Sequence, residues 1–83
     1  MLNIKILGSG CPNCKKLEAL THQAVDGLAV EAQITKVTEY TDILAYHVLS
    51  TPGLVINEKV VSTGRIPSTA EITTYLTTAL MEE

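Results

Sequence analysis

The chain has 83 residues, of which 46% are hydrophobic, and it contains two cysteines but no Trp and no Phe. A chain of this size buries only about 60% of its unfolded surface, so one small domain over residues 1–83 is expected. Six basic residues against nine acidic ones give a formal charge of −3, without the positive patch that nucleic-acid binding requires. No apolar stretch approaches the roughly 20 residues of a membrane span. Neither nucleic acid nor a membrane is therefore an expected partner.

The two cysteines, Cys11 and Cys14, lie so close in sequence that a bridge between them closes too small a loop to restrain the unfolded chain. The N-terminal residues 1–7 lack the pattern of a secretory signal, so a cytoplasmic location is expected. Structural disulfides are rare in that compartment. The pair is therefore interpreted as redox-active or metal-binding.

The first half of the chain predicts a strand, a helix and a second strand. Leu2–Leu7 alternates apolar and polar residues and then meets Gly8-Ser9-Gly10, which indicates a strand and a turn. Pro12 suits the first position of a helix, and Gly27 is expected to mark the end of that helix. A second strand is predicted over Ala32–Val37. The apolar face of the helix is predicted at Leu17, Leu20, Ala24, Val25 and Leu28.

A short helix and a hairpin are predicted next. Thr38 is expected to cap a helix over Glu39–His47, and Thr51-Pro52-Gly53 breaks the helical pattern. Leu54–Ile56 and Lys59–Thr63 are predicted to pair across Asn57-Glu58. A type I′ turn needs positive φ at both central residues, which suits Asn but not Glu, so a longer or bulged loop is the alternative. The apolar stripe of the helix is predicted at Tyr40, Ile43, Leu44 and His47.

The last helix begins at a capping box formed by Ser68 and Glu71. The predicted order is therefore βαβαββα. A strand, a crossover helix and a second strand make a right-handed parallel unit, and the hairpin adds antiparallel strands to it. This order predicts an α/β fold with a small mixed sheet covered by helices. The apolar face of the last helix is predicted at Ile72, Tyr75, Leu76, Ala79 and Leu80.

The position of the cysteine pair between a strand and a helix predicts two different roles. Cys11 lies near the helix N-terminus, whose unpaired N–H groups and positive dipole favour a thiolate, so Cys11 is predicted to be the nucleophile. Cys14 lies one turn further on and is predicted to resolve the mixed disulfide formed at Cys11. Lys15 and Lys16 either lie solvated at the surface or add positive potential near the thiolate.

The two histidines carry less information. His22 lies one helical turn after Glu18 and is expected to pair with it, and His47 is expected at the end of the second helix, where a cation suits the dipole. Their separations from the cysteines match no common zinc spacing, so no metal site is expected.

Three runs of the sequence resemble the small thioredoxin-like, or redox-active disulfide protein, family. The runs are residues 8–17 (GSGCPNCKKL), 50–57 (STPGLVIN) and 60–65 (VVSTGR). The resemblance implies a minimal glutaredoxin-like thioredoxin fold, with four strands in the order 2-1-3-4. It also implies no bound cofactor but a reversible Cys11–Cys14 disulfide, protein substrates that contain disulfides, and reducing equivalents from a thioredoxin-reductase-like flavoprotein.

The resemblance also assigns roles outside the cysteine pair. It implies a cis Pro52 beside the cysteines and substrate-binding roles for Thr51, Pro52 and Gly64, with Gly64 at the rim of the site. Arg65 either attracts an acidic substrate or supports the thiolate, or it lies solvated in its loop. Larger thioredoxins have a buried acid beneath the cysteines, whereas the first strand here offers only Lys5, so the usual proton acceptor for Cys14 is missing.

The function predicted from these features is that of an enzyme or electron carrier that reduces protein disulfides through Cys11 and Cys14. The alternative is a soft-metal binding protein or metallochaperone, because two thiolates also suit Cu(I). Heavy-metal-associated domains have the order βαββαβ and usually a Met-x-Cys motif. The predicted helix before Thr51 and the capped helix at the end of the chain favour the redox function.

Overall fold

The structure is a computed structural model that describes residues 2–10 and 12–82. The predicted order of elements, βαβαββα, is confirmed. The elements are β1 (Leu2–Leu7), α1 (Pro12–Leu28), β2 (Ala32–Val37), α2 (Tyr40–Ala45), β3 (Gly53–Ile56), β4 (Lys59–Thr63) and α3 (Thr69–Glu82).

The strands form one mixed sheet in the order β2-β1-β3-β4, as predicted. Strand β1 pairs in parallel with β2, from Leu2 opposite Ala32 to Leu7 opposite Val37. Strands β1 and β3, and β3 and β4, pair antiparallel. The sheet thus places the end of β1, which leads into the turn before Cys14, between β2 and β3.

The larger apolar cluster lies on the face of the sheet that α1 and α3 cover. Because side chains alternate along a strand, Leu2, Ile4 and Ile6 of β1 all point to this face. The apolar faces predicted for the two long helices are confirmed, since all of their residues belong to this cluster or pack against it. The buried members are Leu2, Ile4, Ile6, Leu17, Ala24, Leu54, Ile56, Ile72 and Leu76.

The smaller cluster lies on the opposite face, beneath α2, and consists of Leu7, Ile43, Val48 and Val55, with Val37 and Tyr46 packed against it. The stripe predicted for α2 is wrong at Tyr40, which is 72% exposed, and at His47, which is also exposed. The chain leaves the helix after Ala45 and His47 takes a φ of +61°. Val48, instead of His47, therefore reaches the core.

The predicted helix ends are only partly right. Thr38 does not cap α2, since Glu39 is the N-cap and makes no side-chain capping bond. Helix α1 continues past Gly27 to Leu28. The capping box of α3 is confirmed: the Glu71 N–H donates to Ser68 Oγ at 3.2 Å, and the Ser68 N–H donates to Glu71 Oε1 at 3.1 Å.

The β3–β4 turn is the two-residue form, with φ of +50° at Asn57 and +68° at Glu58. The predicted alternative of a longer loop is not adopted, although the ladder shifts register between Leu54 and Val55. The Glu58 carboxylate accepts hydrogen bonds from Lys5 Nζ at 2.6 Å and from the Tyr46 hydroxyl at 2.9 Å. These contacts stabilise a residue type that rarely adopts positive φ.

Lys5 Nζ also donates to the Tyr46 hydroxyl at 2.6 Å, which closes a Lys5–Tyr46–Glu58 triad. The hydrogen bond from Lys5, followed by that from Tyr46, lowers the pKa of Glu58, and the hydrogen bond to Glu58 raises the pKa of Lys5. The single ionisable residue of β1 therefore supports a distant turn and α2.

Candidate active site

The second cysteine of the pair lies in the first turn of α1, directly after the turn that leaves β1. Cys14 is 4% exposed and disulfide-bonded. Pro12 occupies the first helical position, as predicted. Cys11 lies outside the described residues, so its assignment as the nucleophile, with Cys14 as the resolving cysteine, stays a prediction.

Gly8 lies between Cys14 and the loop that precedes β3. A Cβ at Gly8 would overlap Cys14 Sγ, would lie 3.3 Å from Cys14 Cβ and would lie 3.9 Å from Thr51 Cβ. The Gly8 N–H donates to the carbonyl of Val37 at 2.9 Å, which fixes this position to the end of β2. Only a residue without a side chain fits between Cys14 and Thr51. The sequence indicated a turn at Gly8, but not this close approach.

The Thr51–Pro52 peptide bond is cis, with Pro52 buried and Thr51 exposed. Gly64 supports this loop from the end of β4. Its N–H donates to the carbonyl of Pro52 at 3.0 Å, and a Cβ on it would lie 3.1 Å from Ser50 Cβ. With a φ of +72°, Gly64 also adopts a conformation that favours glycine. Thr51, Pro52 and Gly64 are therefore brought together.

A surface groove of about 280 Å³ lies beside Thr51, on the side of α2. Tyr40 is 72% exposed and Leu49 is 89% exposed, so the groove presents apolar side chains to solvent. The sequence analysis missed both residues: it assigned Tyr40 to a buried stripe and gave no role to Leu49. We call this feature the Thr51 groove; it is lined by Ser9, Thr38, Tyr40, Ile43, Val48, Leu49 and Thr51.

A smaller pocket of about 50 Å³ lies on the other side of the site, next to Cys14. Glu18 lines it with its side chain 23% exposed, and a Glu18 oxygen lies 3.9 Å from His22 Nε2, which is the predicted pair. Sequence reasoning missed the second partner: Lys36 Nζ of β2 lies 3.4 Å from the other Glu18 oxygen. We call this feature the Cys14 pocket; it is lined by Ile6, Gly8, Gly10, Cys14, Lys15, Glu18 and Lys36.

The cations around the site differ in their surroundings. Lys15 and Lys16 are exposed, and the first turn of α1 contains no acidic residue. Arg65 Nη2 donates to Glu71 at 2.6 Å and to the Tyr75 hydroxyl at 3.3 Å. The hydrogen bond from Arg65 is the main cause that lowers the pKa of Glu71 to about 2. Arg65 thus binds α3, while 53% of its side chain stays exposed to solvent.

The described residues contain neither a metal-binding cluster of side chains nor a helix that could span a membrane. Across residues 2–10 and 12–82, no three or more His, Cys, Asp or Glu side chains are placed to hold a metal ion together. Within the same residues, every helix is too short or too polar to cross a membrane.

Comparison with known proteins agrees with this geometry. Residues 2–77 match the thioredoxin domain family. Over 72 residues the chain is 39% identical to a thioredoxin of Methanocaldococcus jannaschii, a match that covers 87% of this chain and 83% of that protein. It is 36% identical over 72 residues to a thioredoxin of Methanothermobacter thermautotrophicus, with 87% of this chain and 94% of that protein covered. With a match over nearly its whole length, the chain belongs to the thioredoxin family.

Proposed function

We propose that this protein reduces disulfides of other proteins by dithiol–disulfide exchange through Cys11 and Cys14. Its relatives support thiol–disulfide oxidoreductase activity in general. The observation that carries the finer proposal is the position of Cys14, which is buried at the start of α1 with Gly8 between it and the loop of Thr51 and cis-Pro52.

The proposed reaction has two exchange steps. The Cys11 thiolate attacks one sulfur of the substrate disulfide, and the other substrate sulfur leaves as a thiolate. Cys14 then attacks the Cys11 sulfur, which breaks the mixed disulfide and releases the second substrate sulfur. The substrate gains two electrons, and the protein is left with a Cys11–Cys14 disulfide, which a thioredoxin-reductase-like flavoprotein reduces again.

The start of α1 supplies the electrostatic part of the proposal. Its unpaired N–H groups and the positive end of its dipole stabilise a thiolate at the adjacent residue. Lys15 and Lys16 add positive charge in the same turn, and no acid in that turn offsets them. Cations at this end oppose the helix dipole by about 0.3–1 kcal/mol each, a cost consistent with a role in the reaction.

The Thr51 groove is the proposed binding surface for the substrate. Exposed Tyr40 and Leu49 offer apolar area, and exposed Thr51 lies beside them next to Gly8 and Cys14. An extended substrate segment lying along the groove would bring its disulfide to the cysteine pair. We assign substrate contacts to Thr51, Pro52 and Gly64, and Gly64 also supports the loop through its hydrogen bond to the Pro52 carbonyl.

The element order favours this function over soft-metal transfer. Heavy-metal-associated domains have the order βαββαβ, whereas this chain has α2 between β2 and β3 and ends in α3. The element order of this chain therefore differs from the order expected of such a metal-binding domain.

The proposal is tested by insulin reduction in the presence of a thioredoxin reductase and NADPH. The native chain should turn over, and Cys14→Ser should accumulate mixed disulfides through Cys11. Cys11→Ser is the matched control and should trap little. A native dithiol that reduces no disulfide but binds Cu(I) stoichiometrically would overturn the proposal, and efficient trapping by Cys11→Ser would reverse the two roles.

A further inference from the structure

The buried position of Cys14 creates a chemical requirement for the second exchange step. Cys14 is 4% exposed, and burial disfavours the charged form of a thiol. Cys14 must nevertheless lose its proton as it attacks the Cys11 sulfur. Strand β1 offers no acid for this purpose, and its one ionisable side chain, Lys5, is bound to Tyr46 and Glu58.

The Cys14 pocket contains a carboxylate that meets this requirement. Glu18 follows Cys14 by one helical turn, so both side chains lie on the same side of α1. They line the same pocket, whose volume of about 50 Å³ exceeds the roughly 10–15 Å³ that a water molecule needs. The Glu18 side chain is only 23% exposed, although it is charged and belongs to a surface helix.

The charged groups around Glu18 come from two elements. Helix α1 contributes Lys15, which lines the pocket, and His22, whose Nε2 lies 3.9 Å from Glu18 Oε2. Strand β2 contributes Lys36, whose Nζ lies 3.4 Å from Glu18 Oε1. Lys36 pairs with Ile6 in the sheet, and Ile6 lines the same pocket. Lys36 thus connects the Glu18 carboxylate to β2 at the edge of the Cys14 pocket.

We infer that Glu18 accepts the proton of Cys14 through a water molecule in the Cys14 pocket, and that Lys36 positions the Glu18 carboxylate. This inference rests on the proposed function. In the step, the Cys14 thiol gives its proton to the water, which passes a proton to Glu18. The Cys14 sulfur forms a bond with the Cys11 sulfur, and the bond between Cys11 and the substrate sulfur breaks. The substrate sulfur leaves as a thiolate, to which the proton on Glu18 can return.

The test uses the reduced full-length chain and a stoichiometric amount of the aromatic disulfide 5,5′-dithiobis(2-nitrobenzoate) in stopped flow. Attack on this reagent releases one coloured thiolate, and resolution of the mixed disulfide releases a second. In Glu18→Gln, the second release should slow by about tenfold or more at pH 6.5, since general base catalysis contributes about 10²–10⁴ in rate. The difference should shrink as the pH rises above the pKa of about 8.5 of a free thiol, because hydroxide then removes the proton without a protein base. The first release should change less than about twofold.

Four variants separate proton transfer from a structural effect. Asp26→Asn removes an exposed negative charge from the same helix and should leave both releases unchanged. Glu18→Asp should recover part of the lost rate, Lys36→Gln should slow the second release by a smaller factor, and His22→Gln should behave like the native chain. Circular dichroism confirms that each variant is folded.

The outcomes distinguish this inference from the proposed function. If Glu18→Gln resolves the mixed disulfide as fast as the native chain at pH 6.5, or more slowly by the same factor at every pH, Glu18 is not the acceptor. If the rate of the second release loses its pH dependence in His22→Gln but keeps it in Glu18→Gln, the imidazole of His22 is the proton acceptor instead. If the native chain shows no first release, the proposed function fails, and this inference fails with it.

Discussion

The two faces of the sheet are covered in different ways. On one face, helices α1 and α3, of 17 and 14 residues, bury a continuous aliphatic cluster. On the other, α2 has six residues and covers a smaller cluster. There the Lys5–Tyr46–Glu58 triad connects the end of α2 to β1 and the hairpin turn. Charge-assisted hydrogen bonds can thus stabilise a face of the sheet on which a short helix buries little apolar area.

The largest expected effect comes from the well-covered face. Leu76 is fully buried in the larger cluster, so Leu76→Ala should lower the free energy of unfolding by about 2–5 kcal/mol, through lost burial and the cavity left behind. Urea denaturation followed by circular dichroism measures this change. A loss below about 1 kcal/mol would mean that α3 repacks freely against the sheet.

A matched truncation on the other face should cost less. Ile43 is 4% exposed in the smaller cluster, and Ile43→Ala should lower the free energy of unfolding by about 2 kcal/mol, near the low end of the range for such substitutions. The same urea titration measures it. An effect equal to that of Leu76→Ala would remove the asymmetry between the two faces.

Hydrogen bonds should contribute to stability in the opposite order, with a larger contribution on the face that α2 covers than at α3. The Tyr46 hydroxyl takes part in hydrogen bonds of 2.6 and 2.9 Å, whereas the Tyr75 hydroxyl of α3 accepts one of 3.3 Å from Arg65. Tyr46→Phe should therefore destabilise the protein more than its matched control Tyr75→Phe, and both effects should be smaller than that of Ile43→Ala. Thermal unfolding of the two variants measures this order. A lower midpoint temperature for Tyr75→Phe than for Tyr46→Phe would contradict it.

The smallest expected effect depends on pH. Arg65 and the Ser68 backbone lower the pKa of Glu71 to about 2 from its ordinary value of 4.5. A lowered folded-state pKa stabilises the folded chain above the ordinary pKa, and this contribution is lost as pH falls from about 4.5 towards 2. Glu71→Gln keeps the capping box, so it should lower the urea midpoint slightly at pH 7 and hardly at all at pH 2.

The control for this measurement is Glu31→Gln, which removes an exposed charge between α1 and β2. Its urea midpoint should depend on pH as that of the native chain does. Equal losses for Glu71→Gln at both pH values would show that the charge on Glu71 is not what stabilises α3.

Local patterns were sufficient to predict most of the fold. Alternation, helical spacing and the apolar run at Leu54–Ile56 identified the elements, and the Ser68–Glu71 capping box placed the start of α3. The strand order was predicted only from the resemblance to the thioredoxin-like family. Prediction failed where a distant contact decides the conformation. The spacing of Tyr40 fits an apolar stripe, but the chain turns at His47 with positive φ and brings Val48 into the core instead.

The site shows the same division. The sequence motifs identified Cys14, Thr51 and Pro52, which the fold places around Gly8. The Glu18–Lys36 pair could not be predicted in full, because it depends on how α1 lies over β2. The one-turn spacing of Cys14 and Glu18 was the available signal. Cys11, the predicted nucleophile, lies outside the described residues.

The Asn57–Glu58 turn has a consequence for the cooperativity of folding. Glu58 adopts a left-handed conformation with support from Tyr46 and from Lys5, which are 12 and 53 residues away in sequence. Asn57 likewise exchanges hydrogen bonds with Asn3 of β1. An isolated β3–β4 segment lacks all of these partners, so the hairpin should gain its full stability only when β1 and α2 are in place. Local and global order in this protein are therefore expected to form and to melt together.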